Sequence, residues 1–276
     1  MQIDPRITFG VELEWADVDR RIKIDPSLGS WDFKDYTIVN SNGRANDPTG
    51  KYPIGGEINT RPTSTINDQV EIIKKLSDLL SPVINYRCNL HIHIGVTGFP
   101  ESLNSLKSLA MYLRDGEEFV YQFVEPIPRP SQDEFQTRDE FVGAMKRYRR
   151  RLVSHHHSIP NARWKEMMNS KTIDDFMSAH APLSKNGTRA FHITPRAGMN
   201  LRSLEKHGTI EYRHFPGSSD YKEIKSCLEW AGLYTTAALG AGWSPAEIYN
   251  SQDWNFPQFR QYNHALETGY QKTKYK

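Results

Sequence analysis

Cys88-Asn89-Leu90-His91-Ile92-His93-Ile94-Gly95, "CNLHIHIG", sets two imidazoles two residues apart inside an otherwise apolar run. In a β-strand successive side chains alternate faces, so His91 and His93 point one way and Leu90, Ile92 and Ile94 the other. One face of this strand is core; the other is wet or ionic. The pair alone does not decide which, since a half-buried strand with histidines in solvent reads the same way.

Three other segments repeat the pattern. "RITFGVELEW" (6–15) alternates as a strand and puts Glu12 and Glu14 on one face, Val11 and Leu13 on the other. "GTIEYRHF" (208–215) pairs Glu211 with Arg213 and turns Ile210 and Tyr212 away. "GGEINT" (55–60) is a shorter strand that adds Glu57 behind two glycines. Each polar pair, taken singly, reads as the solvent face of an amphipathic strand. As a set they are almost all metal-ligand types, whereas a solvent face mixes in Lys, Thr and Ser. Four glutamates on one side of a sheet repel and need cations between them. Carboxylate oxygens with an imidazole suit Mg²⁺ or Mn²⁺; a zinc site more often shows cysteine or three convergent histidines. On the same reasoning, replacing Glu14 or Glu211 by Ala relieves repulsion in the metal-free chain.

Helices fill the intervals. "INDQVEIIKKLSDLL" (66–80) carries Val70, Ile73 and Leu76 at helical spacing, with Pro82 just beyond. "SLNSLKSLAMYLRDGEEFVYQFV" (102–124) reads as a long helix closed by Pro126, and "DEFVGAMKRYRRRL" (139–152) as another. "DYKEIKSCLEWAGLYTTAAL" (220–239) puts Ile224, Leu228 and Ala231 on one face. "FHIT" (191–194) and "GMNLRS" (198–203) join "GTIEYRHF" as a late run of strands. Short strands with helices collected between them, without a βαβ rhythm, predict an α+β fold. The loop "NSNGRANDPTGKYP" (40–53) reads as an exposed flap.

Composition sets outer limits. The 276 residues are 37% hydrophobic and 25% charged, ordinary for a soluble globular chain. A net charge of +2, from 35 basic and 33 acidic residues, does not by itself imply nucleic acid. "MQIDPRITFG" has no signal-peptide character, no apolar run approaches membrane-spanning length, and two cysteines make no disulfide framework. The expectation is a cytoplasmic protein.

The order ExE, GGE, HxHxG and ExR, carried by "FGVELE", "GGEINTRP", "CNLHIHIG" and "RAGMNLRSLEKHGTIEYRHFPGS", resembles the amidoligase family of the carboxylate–amine ligase superfamily, relatives of glutamine synthetase and glutamate–cysteine ligase. The resemblance spans roughly residues 9 to 219. It implies an antiparallel sheet curved into a funnel, a glutamine synthetase/glutamate–cysteine ligase-like fold, with the active site on the concave face and helices outside. It also implies ATP-dependent amide formation, with ATP and Mg²⁺ or Mn²⁺ as cofactors. Carried over position by position, Glu12, Glu14, Glu57 and Glu211 match the metal carboxylates, and His91 the metal- or phosphate-facing histidine. His93 stands beside it towards the substrate, Arg213 matches the arginine that steadies the nucleotide phosphates, and Asn200 an asparagine on the preceding strand. Relatives often show Trp, then Asp-Gly-Ser, before the GGE segment. Here "WDFKDYT" (31–37) offers Asp35 and Thr37 around Tyr36, which puts any role for Asp35 in doubt.

The chemistry stands without the family. Joining a carboxylate to an amine in water is uphill, so the carboxylate is first activated as an acyl phosphate by ATP. That step asks the protein for positioning and charge neutralisation. No GxxxxGK[ST] loop is present, which excludes a P-loop as the source of ATP binding. Arg61, after the GGE strand, and Arg196, before Asn200, are placed to hold a substrate carboxylate with two prongs. Arg61 is assigned to substrate and Arg196 to the nucleotide.

Two features admit more than one use. "SHHHS" (154–158) reads as a polar loop or helix end, or as a phosphate or substrate contact. "KRYRRRL" (146–152) suits a solvated helix C-terminus, or an acidic partner. The competing functions are a metal-dependent hydrolase or phosphatase on the same residues, which needs no ATP, and a non-catalytic protein binding nucleic acid or an acidic partner around "KRYRRRL". The leading reading is one catalytic domain over 1–276, with a helical insertion at about 102–180 and a covering segment at about 244–276. Its substrates are an acidic small-molecule or peptide carboxylate and an amine, with a protein tail or nucleic acid as the larger possibility.

Overall fold

The computed structural model describes residues 1–16, 18–19, 21–32, 55–84, 88–96, 98, 102–124, 137–138, 161–180 and 198–257. The predicted elements at 139–152 and 191–194, the loops at 40–53 and 154–160, and the chain beyond 257 lie outside them.

Six antiparallel strands form one sheet in the order β2-β3-β1-β4-β6-β5. They are β1 (Ile7–Ala16), β2 (Gly29–Asp32), β3 (Gly55–Thr60), β4 (Asn89–Val96), β5 (Met199–Asn200) and β6 (Thr209–Pro216). The two histidine and glutamate strands are therefore neighbours at the centre. Strict alternation puts Phe9, Val11, Leu13, Leu90, Ile92, Ile94, Ile210 and Tyr212 on one face, and all are buried. Against that face pack α1 (Ile66–Leu80), α2 (Leu103–Val124) and α6 (Tyr221–Thr236), α2 lying on β6 and α6 on β4. Val70, Ile73 and Leu76 of α1 and Ile224, Leu228 and Ala231 of α6 are in the core, as their spacing predicts. Trp230 of α6 sits among Tyr212, Phe215, Tyr234 and Phe256. The fold is thus mixed, an antiparallel sheet with helices on its apolar face, and both cysteines are buried thiols outside any disulfide. Among the described residues no helix is long and apolar enough to cross a membrane.

Three local readings need correction. "GMNLRS" is not a strand throughout. Only Met199–Asn200 pair with β6, and Arg202–His207 form a short helix, α5, following α3 (Asn161–Asn169) and α4 (Ile173–His180). The run RSLEKH is rich in good helix formers, and Gly208 ends it in the left-handed conformation (φ 67°), its N–H bonding Leu204 and Ser203. The late helix stops at Thr236, where a π-turn over Ala237–Ala241 bends at Gly240 (φ 111°) before α7 (Pro245–Tyr249). Finally, β6 is not regular. Ile92 pairs with Tyr212 but Leu90 with Phe215, so Arg213 and His214 together oppose His91 in a β-bulge.

Candidate active site

The other face of the sheet is assembled by register. Glu12 lies opposite His91, Glu14 opposite Glu57, His93 opposite Glu211, and Glu211 opposite Asn200. Directly opposed residues have Cβ atoms about 5 Å apart, so the four motifs become one patch although they are up to 199 positions apart in sequence. It is not a solvent face: Glu14, Glu57, Glu211, His91, Asn89 and Asn200 are all less than a tenth exposed.

Glu12 bridges the histidines. His91 Nδ1–H donates to Oε2 at 2.7 Å, and His93 Nε2 meets Oε1 at 2.9 Å. Burial by itself would raise the Glu12 carboxyl, but the hydrogen bonds and charge of the two imidazoles hold it well below the usual range. Burial likewise works against a charged His93, and the hydrogen bond to Glu12 with the charges of Glu12 and Glu211 overcomes it and raises the ring. Glu14 Oε2 accepts from the Asn89 backbone N–H at 2.9 Å and its side-chain amide at 2.6 Å. Glu211 accepts from the Asn200 amide and from the Arg213 guanidinium. Arg213 is itself mostly buried. Its desolvation is outweighed by the charges of Glu211, Glu12 and Glu14, which keep it protonated.

Two observations bear on whether these residues fit a divalent ion. Glu12, His93 and Glu211 offer ligand atoms that all lie within 4.8 Å of one another. And His91 Nε2 is buried without a hydrogen-bond partner, facing Glu14 Oε1 at 3.9 Å. With Nδ1–H given to Glu12, Nε2 is the nitrogen that faces this carboxylate oxygen. Two ligands of one ion at about 2.1 Å each stand about 3–4 Å apart, so that arrangement fits a cation between them. Oxygen donors with imidazole suit Mg²⁺ or Mn²⁺.

A pH dependence follows from His93. Its Nε2 must lose a proton before it can ligate, and its folded value lies above the ordinary 6.5. Mn²⁺ affinity should therefore climb about tenfold per pH unit above 6.5, levelling once the raised value is passed. Calorimetric titration at three pH values measures this, and a flat profile would remove His93 from the ligand set. Without metal the same residues act oppositely on folding stability. The depressed Glu12 contributes at neutral pH and is lost on acidification; the raised His93 contributes at low pH and is lost as pH rises through its folded value.

Of the residues singled out in the sequence, Glu12, Glu14, Glu57, His91, His93, Asn200, Glu211 and Arg213 share this one face. The geometry draws His93 into the donor set as well as His91. Arg61 is exposed past the end of β3, and Arg196 and Asp35 lie outside the described residues. Two members went unread. Asn89 continues the parity of 91 and 93 and would have been found by counting back two. Asp32, opposite Glu57, stands on a four-residue strand too short to carry a periodicity.

A family model described as "Putative amidoligase enzyme" matches residues 22–233, a span that holds the GGE, HxHxG and ExR segments and begins after Glu12 and Glu14. The crystal structure of a bifunctional glutathione synthetase from Pasteurella multocida superposes at a TM-score of 0.47 and 11% identity, covering 88% of this chain and 39% of that one. The chain thus spans well under half the length of that protein. No curated protein sequence matches. With most of its length inside the family model, the chain belongs to the amidoligase family.

Proposed function

We propose that this chain is an ATP-dependent carboxylate–amine ligase that forms a peptide-like amide through an acyl phosphate. The observation that carries the reading is the buried face on which four glutamates, two imidazoles and Arg213 converge. Such a concentration of like charge is stable when cations neutralise it, and amide formation by way of ATP calls for that neutralisation. Glu12, Glu14, Glu57, Glu211 and His91, with His93, would hold Mg²⁺ or Mn²⁺. The ions, when bound, neutralise the phosphate oxygens on which charge develops. Arg213 provides a planar, two-pronged donor for the same phosphates, with Arg196 a second nucleotide contact. Asn200 anchors Glu211 and Asn89 anchors Glu14, so the carboxylates are held before substrate arrives. Arg61 and His93 are the substrate-side groups of this proposal. The glutamine synthetase-like funnel belongs to it too, as does a single catalytic domain over 1–276, with its insertion at 102–180 and covering segment at 244–276.

The basic sequence around 146–152 favours an acidic carboxylate, glutamate-like or at a peptide end, joined to a small amine or amino acid. The test is release of ADP and phosphate across paired pools of carboxylates and amines, with mass spectrometry of the product. The expected result is ADP formation that requires both partners and a divalent ion. AMP and pyrophosphate would rule out the acyl phosphate, and turnover of an ester or phosphate without ATP would replace the ligase by a hydrolase.

A further inference from the structure

The fourth outward position of the histidine strand, after Asn89, His91 and His93, is Gly95, and the space above it is taken by neighbours. A Cβ there would come within 2.4 Å of Thr8 Oγ1 and 3.7 Å of the Thr209 methyl. Gly95 is the register partner of Thr209, the first residue of β6. Thr209 follows directly on Gly208, whose left-handed backbone turns α5 back into the strand. That turn sets Ser203, in α5, beside Thr209, and the two hydroxyls lie 3.0 Å apart. Both reach His93: Thr209 Oγ1 is 3.0 Å from Nδ1 and Ser203 Oγ 3.5 Å. Ser203 is only 5% exposed. The far nitrogen of His93, Nε2, is the one that faces Glu12 at 2.9 Å.

We infer that Thr209, backed by Ser203, is the positioning residue of His93: it accepts the Nδ1–H and so leaves the Nε2 lone pair directed at the Glu12–Glu211 side of the site. The inference rests on the metal reading above. An imidazole can ligate through one nitrogen only when its proton is on the other, and the partner of that other nitrogen sets both tautomer and ring orientation. A hydroxyl suits the task because it both donates and accepts. When Nε2–H is given to Glu12, the Thr209 hydroxyl donates to Nδ1; when Nε2 takes a metal, the same hydroxyl accepts from Nδ1–H and donates its own O–H to Ser203 Oγ. A carbonyl or carboxylate in its place would hold only one of these states. The competing account, that Thr209 and Ser203 only staple α5 to β6, predicts a loss of stability and no change in the ring.

The test uses the full chain with Mn²⁺ alone, without ATP or substrate, so that it reads the site and not turnover. Thr209→Val removes the hydroxyl and keeps the shape. Its Mn²⁺ dissociation constant should rise about 10- to 100-fold, the usual loss when a ligand's outer partner is removed. Thr209→Ser should restore binding to within about threefold of wild type. In the wild-type chain loaded with Mg²⁺, ¹⁵N shifts of the His93 ring should report a single tautomer protonated at Nδ1, and this measurement stands even if the valine variant folds poorly. Equal Mn²⁺ affinity in wild type and Thr209→Val, an equal loss in Thr209→Ser, or an Nε2-protonated ring in the loaded wild type would each overturn the inference alone. A wild-type chain that binds no Mn²⁺ overturns the metal reading and the inference together.

Discussion

Glu211→Ala is expected to abolish turnover, by at least about a thousandfold, and also to destabilise the metal-free protein. The first effect follows from charge: Glu211 lies opposite His93, shares its donor group, and holds Arg213 and Asn200. Removing one preorganised electrostatic partner in a water-poor site costs about a hundred- to a thousandfold, and Glu211 serves several. The second effect reverses what four like charges on one face suggest. Glu211 is not simply repelled by its neighbours, because Arg213 and the Asn200 amide already compensate it. Deleting the carboxylate strands a mostly buried guanidinium, and breaking such a pair from one side costs about 3–5 kcal/mol. Glu12 and Glu14 still act favourably on Arg213, so the lower end of that range applies. Urea unfolding of the metal-free variants decides the matter. A Glu211→Ala chain more stable than wild type would show that repulsion dominates after all.

Arg213→Lys separates charge from shape at the neighbouring position. Turnover should fall about ten- to a thousandfold, since lysine keeps the positive charge that Glu211 requires but presents a point and not a fork. Stability should change little, because the ion pair survives. The Arg213 backbone is held independently, its N–H bonding the Gly198 carbonyl at 2.6 Å, so the substitution need not move the strand. The measurement is kcat for ADP release beside the thermal midpoint of the same preparation. Wild-type kcat in the lysine variant would reduce Arg213 to a structural counter-ion of Glu211.

These expectations depend on which parts of the site a sequence carries. Parity is local, so Glu12 with Glu14, His91 with His93, and Glu211 with Arg213 were legible two residues at a time. The boundaries of β3 were legible because Gly55 opens it and Pro62 follows closely. Register is not local. Nothing in "FGVELEW" says that Glu14 meets Glu57 or that Glu12 meets both histidines; that comes from strand order and hairpin geometry. Short elements also escape, because a period needs several repeats to show. Hence β2 with Asp32 was missed, and α5 was read as a continuation of β5. The polar face was legible as ionic, but its burial was not, since burial depends on what packs above it.

The bulge at Arg213–His214 means that the last strand is written in two reading frames. Up to Arg213 odd-numbered residues face the site; from Phe215, which pairs with Leu90 and packs on Trp230, an odd number means the core. Related sequences aligned on strict alternation would misfile everything beyond the arginine by one face. They should be anchored twice, once on the glutamate and once on the aromatic. Deleting His214 alone would remove the bulge and merge the frames, with the arginine still on the site face and the phenylalanine still in the core.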